Sequence, residues 1–248
     1  MHDASIAVLK FGGSVLRDRA ALGDAAREVA RAIARGERVI AVVSALRGRT
    51  DELLAECRAE REPLSGNAIA LRVGQGECEC AAALVVALKE HGIDAMALDP
   101  ASMELVACGD PLDADLCSVS LPRVHAALAR QGAVVVPGFV AIDDRGNAVL
   151  LGRGGSDLTA LFLAQRLAAR CRLVKDVDGL HDADPAALHG ASRQLRASYA
   201  EVAQRGGRLV QDKALAFARA HGFAFEIGAI GSDTPTIVAA HASGGAHG

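Results

Sequence analysis

The chain has 248 residues with a formal net charge of −3 and is 51% hydrophobic but only 3% aromatic, so it offers neither a basic stripe nor stacking platforms for nucleic acid. No apolar run of about twenty residues occurs, and the N-terminus "MHDASIAVLKFGG" lacks the charged, apolar and small-residue order of a signal peptide. The expectation is a cytoplasmic protein with no membrane or nucleic-acid partner, long enough for one large domain or two intimate lobes. Its Ala, Val, Leu and Ile suit helices packed on a parallel sheet.

Strand-like runs alternate with alanine-rich helical stretches along the chain, a βαβ rhythm. "SIAVLKF" predicts a first strand, "DRAALGDAAREVARAIARG" a helix and "RVIAVVSA" a second strand. Helices are predicted around Asp51 to Arg61 and Glu77 to His91, then a strand at "DAMALD" and a helix over "SVSLPRVHAALARQG". "AVVVPGFVAI" and "NAVLL" predict two strands flanking "DDRGN", an Asp/Gly turn of hairpin type. After a joint near Leu150 come a glycine stretch with its helix, a strand at "CRLVKDV", a polar loop to about Arg196 and two helices. Strands at "FAFEIG" and "TIVAA" close the fold, and residues 241–248 form a small-residue tail predicted to be unstructured. Six cysteines are scattered, and Cys78 and Cys80 lack zinc spacing, so free thiols and no protein-held metal are expected.

Three glycine-bearing stretches stand at predicted strand ends, the edge where open α/β sheets gather ligands. In "LLGRGGSDLTALFLAQRLAARC" a helix beginning near Ser156 leaves N–H groups unpaired beside an arginine, which reads as an anion site. In "VLKFGGSVL", Lys10 precedes glycines with exposed N–H groups, the fixed donors that a polyphosphate requires. The third stretch is the acidic "VKDVDGLHDADP". Neither G-x-x-x-x-G-K-[ST] nor G-x-G-x-x-G is present, which weighs against an ordinary P-loop or dinucleotide fold. Taken singly, Glu77 reads as well as a first-turn helix carboxylate, Ser44 and Thr50 as caps, and the acidic run as a solvated loop.

In order, "VLKFGGS", "AVVSALRGRTDELL", "GQGECECAAALVVALKEHGIDAMALD", "VPGFVAIDDRGNAVLLGRGGSDLTA" and "KDVDGLHDADP" resemble segments of the amino acid kinase family, and within it the aspartokinases. The resemblance runs from about Ile6 to Val238 and implies a mostly parallel sheet sandwiched by helices. It implies one catalytic domain over 1–240, with an acceptor lobe to about residue 150 and a nucleotide lobe from about 151. Lys10 and Asp157 are then the catalytic pair, and Gly12, Gly13, Ser14, Gly154 and Gly155 surround the phosphoryl group. Ser44, Thr50, Glu77, Arg153 and Ser156 would hold the acceptor, Glu77 taking an α-ammonium and Arg153 an α-carboxylate. Lys175, Asp176, Asp178, Gly179, Asp182, Asp184, Pro185 and Arg208 would line the nucleotide side. ATP and Mg²⁺, a free amino-acid acceptor, an acyl phosphate product and a homodimer are implied with them.

The pattern departs from the family in four places. The stretch between Thr50 and Gly76 is short, and the chain ends soon after its last expected kinase strand, without sensing domains. Lys175 stands where aspartokinases have threonine. Arg208 replaces a lysine, and Gln211 and Asp212 replace a His-Pro pair. Two further readings follow: a same-fold kinase for a phosphate-bearing acceptor, and a nucleotide-binding or storage protein without turnover. The former is disfavoured because Glu77 would repel a phosphate and no extra cation accompanies it.

Overall fold

The computed structural model describes residues 5–181, 192–205 and 209–240. Asp182, Asp184, Pro185, Arg208 and the tail 241–248 lie outside the described residues. The first strand, β1 (Ile6–Phe11), is followed by α1 (Ala21–Ala34), β2 (Arg38–Val43), α2 (Arg49–Arg58) and α3 (Gly66–Glu90). Then come β3 (Ala95–Ala97), β4 (Val106–Asp110), β5 (Asp113–Ser118), α4 (Leu121–Arg130), β6 (Ala133–Pro137), β7 (Val140–Ile142) and β8 (Ala148–Leu150). The remainder is α5 (Gly155–Arg166), β9 (Arg170–Lys175), β10 (Leu180–His181), β11 (Arg193–Gln194), β12 (Arg196–Ser198), α6 (Tyr199–Ala203), α7 (Asp212–Ala220), β13 (Phe225–Ala229) and β14 (Thr236–Ala239).

Eight strands form the main sheet in the order β12-β14-β13-β9-β1-β2-β6-β3. Every pairing in it is parallel except that of β13 with β14. This is the mostly parallel α/β sandwich that the sequence predicts. Successive residues of a strand face opposite sides, so β1 sends Val8 into one apolar cluster, with Phe162 and Leu163 of α5, and Leu9 and Phe11 into another, with α1 and α3. A sheet covered on both faces requires continuous apolar strands, and "IAVLKF" and "RVIAVV" provide them. A smaller sheet, β5-β4-β7-β8, is appended to the main one.

The structure corrects several local expectations. The third helix begins at Gly66, not near Glu77, because the Ser65 hydroxyl caps it by accepting from the Ala68 N–H at 3.3 Å. "AVVVPGFVAI" is not one strand. It breaks at Gly138 and at Phe139, whose φ is +66°, and β6 and β7 then enter different sheets. The segment between the third strand and the fourth helix contains the hairpin β4–β5, which sequence patterning missed, and the polar loop before Arg196 contributes β11. Cys108 and Cys117, expected as free thiols, are joined as a disulfide: this hairpin pairs Cys108 with Asp115, and the irregularity beside it leaves Cys117 with its Cα 6.5 Å from that of Cys108. Cys57, Cys78, Cys80 and Cys171 are free.

A largely buried ionic cluster gathers about Arg172 in the middle of β9. Arg172 Nη1 donates to Glu28 Oε1 at 3.3 Å and to the Ser232 carbonyl at 3.0 Å, and Nε donates to Glu226 at 2.8 Å. Glu28 also accepts from the Gly231 N–H at 2.9 Å. Removing one member of such a set strands a buried charge, so Arg172→Leu is expected to lower unfolding free energy by about 3–5 kcal/mol. Urea denaturation checks this, and a loss below about 1 kcal/mol would show that Glu28 needs no counter-ion.

Candidate active site

Four neighbouring parallel strands end around one cavity of about 420 Å³. Lys10 is the penultimate residue of β1, Ser44 follows β2, Gly138 follows β6 and Lys175 ends β9. Their carboxyl edge meets the N-terminus of α5, whose first turn carries Ser156 and Asp157. Gly154, at φ +83°, caps that helix in the left-handed region, and a Cβ there would stand 2.3 Å from that of Gln211. The glycines of "GRGGSD" are therefore a structural requirement of the turn that brings Asp157 inward.

Asp157 is 3% exposed and lies between two ammonium groups: Lys10 Nζ is 2.6 Å from Oδ1 and Lys175 Nζ is 2.9 Å from Oδ2. Burial alone would raise its pKa, but the two lysines overcome this and hold it near 2. Burial and the neighbouring Lys10 charge lower the pKa of Lys175, against the opposing pull of Asp157. Lys10 itself reaches back over Gly12, where an added Cβ would lie 2.7 Å from its Nζ. Gly12→Ala should therefore displace the ammonium without disturbing the core. Misplacing a reacting group by about 1 Å can cost on the order of a hundredfold in rate, so this variant should lose kcat at unchanged Tm.

On the opposite wall stands Glu77, in the middle of α3 and 2% exposed. The first-turn, helix-dipole reading of this residue is thereby excluded. Burial raises its pKa to about 8, although the Ala45 N–H and the Lys10 charge favour ionisation. Its Oε2 has no hydrogen-bond partner. Arg153 lines the cavity as an exposed side chain with no ion pair among the described residues. Ser44 and Ser156 join at 2.9 Å, and Thr50 lies in the first turn of α2, also at the cavity wall.

Lys10, Gly12, Gly13, Ser14, Ser44, Thr50 and Glu77 are thus brought into one cavity with Arg153, Gly154, Gly155, Ser156, Asp157 and Lys175. Asp176, Asp178 and Gly179 follow β9 but do not line it. Asp178 is engaged by Arg193 at 3.1 Å and by His181 at 3.3 Å. Sequence reading missed Arg47. Its Nε and Nη2 donate to the Gly13 and Ser14 carbonyls at 3.3 and 3.4 Å, and it lines the cavity. It adds a cation to the cavity that Glu77 also lines, against the expectation that none accompanies that carboxyl. It lay within the quoted "SALRGRT", but only the meeting of two loops shows where it points. Among the described residues no three His, Cys, Asp or Glu side chains form a metal cage, and Asp157 is already engaged by two lysines. These side chains alone do not fit a resident Mg²⁺.

The fold and cavity define an α/β protein with a lysine–aspartate–lysine cluster at the carboxyl edge of its sheet. The chain belongs to the amino acid kinase family, whose sequence model matches residues 5–225. An aspartokinase of Helicobacter pylori is 30% identical over 216 residues, covering 86% of this chain and 53% of that protein. An aspartate kinase of Stutzerimonas stutzeri is 29% identical with the same coverage. The chain spans about half the length of these relatives. Among solved structures, aspartate kinase from Synechocystis superposes with a TM-score of 0.81 at 26% identity, covering 96% of this chain and 40% of that one. An isopentenyl phosphate kinase shares the fold at a TM-score of 0.69 and 18% identity. No helix among the described residues is long and apolar enough to cross a membrane.

Proposed function

We propose that the protein transfers the γ-phosphoryl group of ATP to the side-chain carboxylate of aspartate or a close amino-acid analogue. The observation that carries this reading is the buried Glu77 carboxyl, with an oxygen left without a partner, facing a cavity that also holds an unpaired Arg153 and the Lys10–Asp157–Lys175 cluster. A zwitterion meets these groups with its ammonium on Glu77 and its carboxylate in the Arg153 fork. Its second carboxylate, ionised at neutral pH, needs no general base. One carboxylate oxygen bonds to the γ-phosphorus as the bond to the β–γ bridging oxygen breaks. ADP leaves with that electron pair, and an acyl phosphate remains. Lys10, Lys175 and the Gly12–Gly13 N–H groups answer the charge on the phosphoryl oxygens, while Asp157 keeps the two lysines together. The donor nucleotide lies towards the loop after β9, with Asp176, Asp178 and Gly179. The aspartokinase relatives support this choice of acceptor.

ADP release with L-aspartate, and trapping of the product by hydroxylamine, test the proposal. Succinate, which lacks the amino group, should lose at least tenfold in kcat/KM, and equal rates would remove Glu77 from the acceptor site. A second reading, a phosphate-bearing acceptor, is supported by Arg47 and by the high pKa of Glu77, which leaves that carboxyl largely neutral at pH 7. Faster ADP release with nucleoside or isoprenoid monophosphates than with any amino acid would decide for it.

A further inference from the structure

Beside the candidate active site, on the far side of Arg47, lies a second cavity of about 280 Å³. It is enclosed by the turn after β1, the turn before α2 and the middle of α3, and four arginines line it: Arg17, Arg19, Arg47 and Arg49. Two glutamates share the lining, and both stand beside Arg49: Glu52 at 3.2 Å and Glu79 at 3.6 Å. Arg17 and Arg19 have no ion pair or side-chain hydrogen bond among the described residues. Arg47 is held by the Gly13 and Ser14 carbonyls, but those neutral groups leave its charge uncompensated. Cys80 and Ala83 of α3 give the cavity an apolar floor.

We infer that this cavity binds a small anion carrying two or more negative charges on a short apolar body, either a phosphate monoester or a dicarboxylate. Four guanidinium groups against two carboxylates leave the lining net positive, with Arg17, Arg19 and Arg47 facing no carboxylate partner of their own among the described residues, and planar guanidinium forks suit phosphate and carboxylate oxygens equally. Binding here is independent of the reaction proposed above. Its consequence for that reaction runs through Arg47, which borders both cavities and holds the carbonyls of the Gly13–Ser14 turn. An anion that draws on Arg47 alters the turn whose N–H groups face the phosphoryl site.

Isothermal titration of the intact protein with pyrophosphate and, separately, with malonate tests the inference at constant ionic strength. One equivalent of bound anion is expected to depend on this cavity, whatever the Lys10 centre takes. It should weaken at least tenfold in the Arg17→Gln/Arg19→Gln double variant and disappear in Ala83→Glu, where a resident carboxylate fills the cavity. Ala83→Glu also covers the case in which the double variant fails to fold. Preference for pyrophosphate identifies a phosphate ligand, and preference for malonate a dicarboxylate. Hydrogen exchange over residues 12–16 should change with that equivalent in the wild type only. No bound anion in the wild type, or binding whose stoichiometry and affinity are unchanged in both variants, would overturn the assignment. Failure of the kinase assay leaves these readouts intact.

Discussion

Asp157→Asn is expected to abolish turnover and to lower stability at the same time. The carboxylate is the counter-ion of both Lys10 and Lys175, and its neutral isostere leaves two largely buried ammonium groups side by side. Breaking a buried pair from one side costs about 3–5 kcal/mol. Turnover should fall by about a thousandfold, because the lysines are no longer held where charge develops. The pH dependence follows from the depressed pKa. A carboxyl with a folded pKa of about 2 against an ordinary 3.8 stabilises the fold fully above that ordinary value, and the contribution is lost as pH falls towards 2. The stability difference between wild type and variant should therefore close over that acid window in urea titrations. Lys175→Met placed on Asp157→Asn should recover part of the lost stability by removing one of the repelling charges. A variant that kept both stability and rate would end the role given to this residue.

Glu77→Gln should have opposite effects on function and on stability. Glu77 is buried, and its folded pKa of about 8 lies above the ordinary 4.5. A raised carboxyl pKa means that the folded state holds its proton more tightly than the unfolded chain, so stability declines as pH rises from about 4.5 to about 8. Glutamine removes that ionisation, and the variant should be more stable than wild type at pH 8 by about 1–3 kcal/mol, a gain that vanishes near pH 4.5. Acceptor binding should suffer instead, with KM for the amino acid rising at least tenfold and KM for ATP little changed. In the wild type, acceptor affinity should improve as pH rises through about 8, because an ammonium is bound best by the ionised form. A flat pH profile for acceptor KM, together with an unstabilised variant, would show that Glu77 is already ionised in the empty site.

The strand ends and glycine turns were legible because the chemistry there is local: Lys10 with "FGGS", and Asp157 at the start of α5 after "GRGG". Partnerships between distant segments were not. Lys175 was assigned to the nucleotide side on its position in "VKDVDGL", and only the packing of α5 over the central strands reveals its ion pair with Asp157. The start of α3 is hard to read because Gly74 and Gly76 lower the helix propensity of its first half, yet they are accommodated where the helix packs against Val140 and Ala45. The hairpin β4–β5 was missed because "VACGD" and "DADLCS" are rich in Asp and Gly and poor in β-formers. The Cys108–Cys117 link went with it.

The position of β1 has a consequence for how the molecule comes into being. The strand that carries Lys10 is made before both of its neighbours, yet it lies in the interior of the sheet, with Lys10 beside Val42 of β2 on one side and Leu173 of β9 on the other. Its second neighbour, β9, is translated only after β2 to β8 and α1 to α5. Long-range parallel pairing is slow, because the loop entropy is lost before the contacts are gained. Until β9 docks, β1 exposes an unpaired apolar edge, and Lys175, the last residue of β9, has not yet met Asp157. Nascent chains that stop short of β9 should therefore be both inactive and prone to self-association, and completion of the sheet and assembly of the lysine–aspartate cluster are a single event.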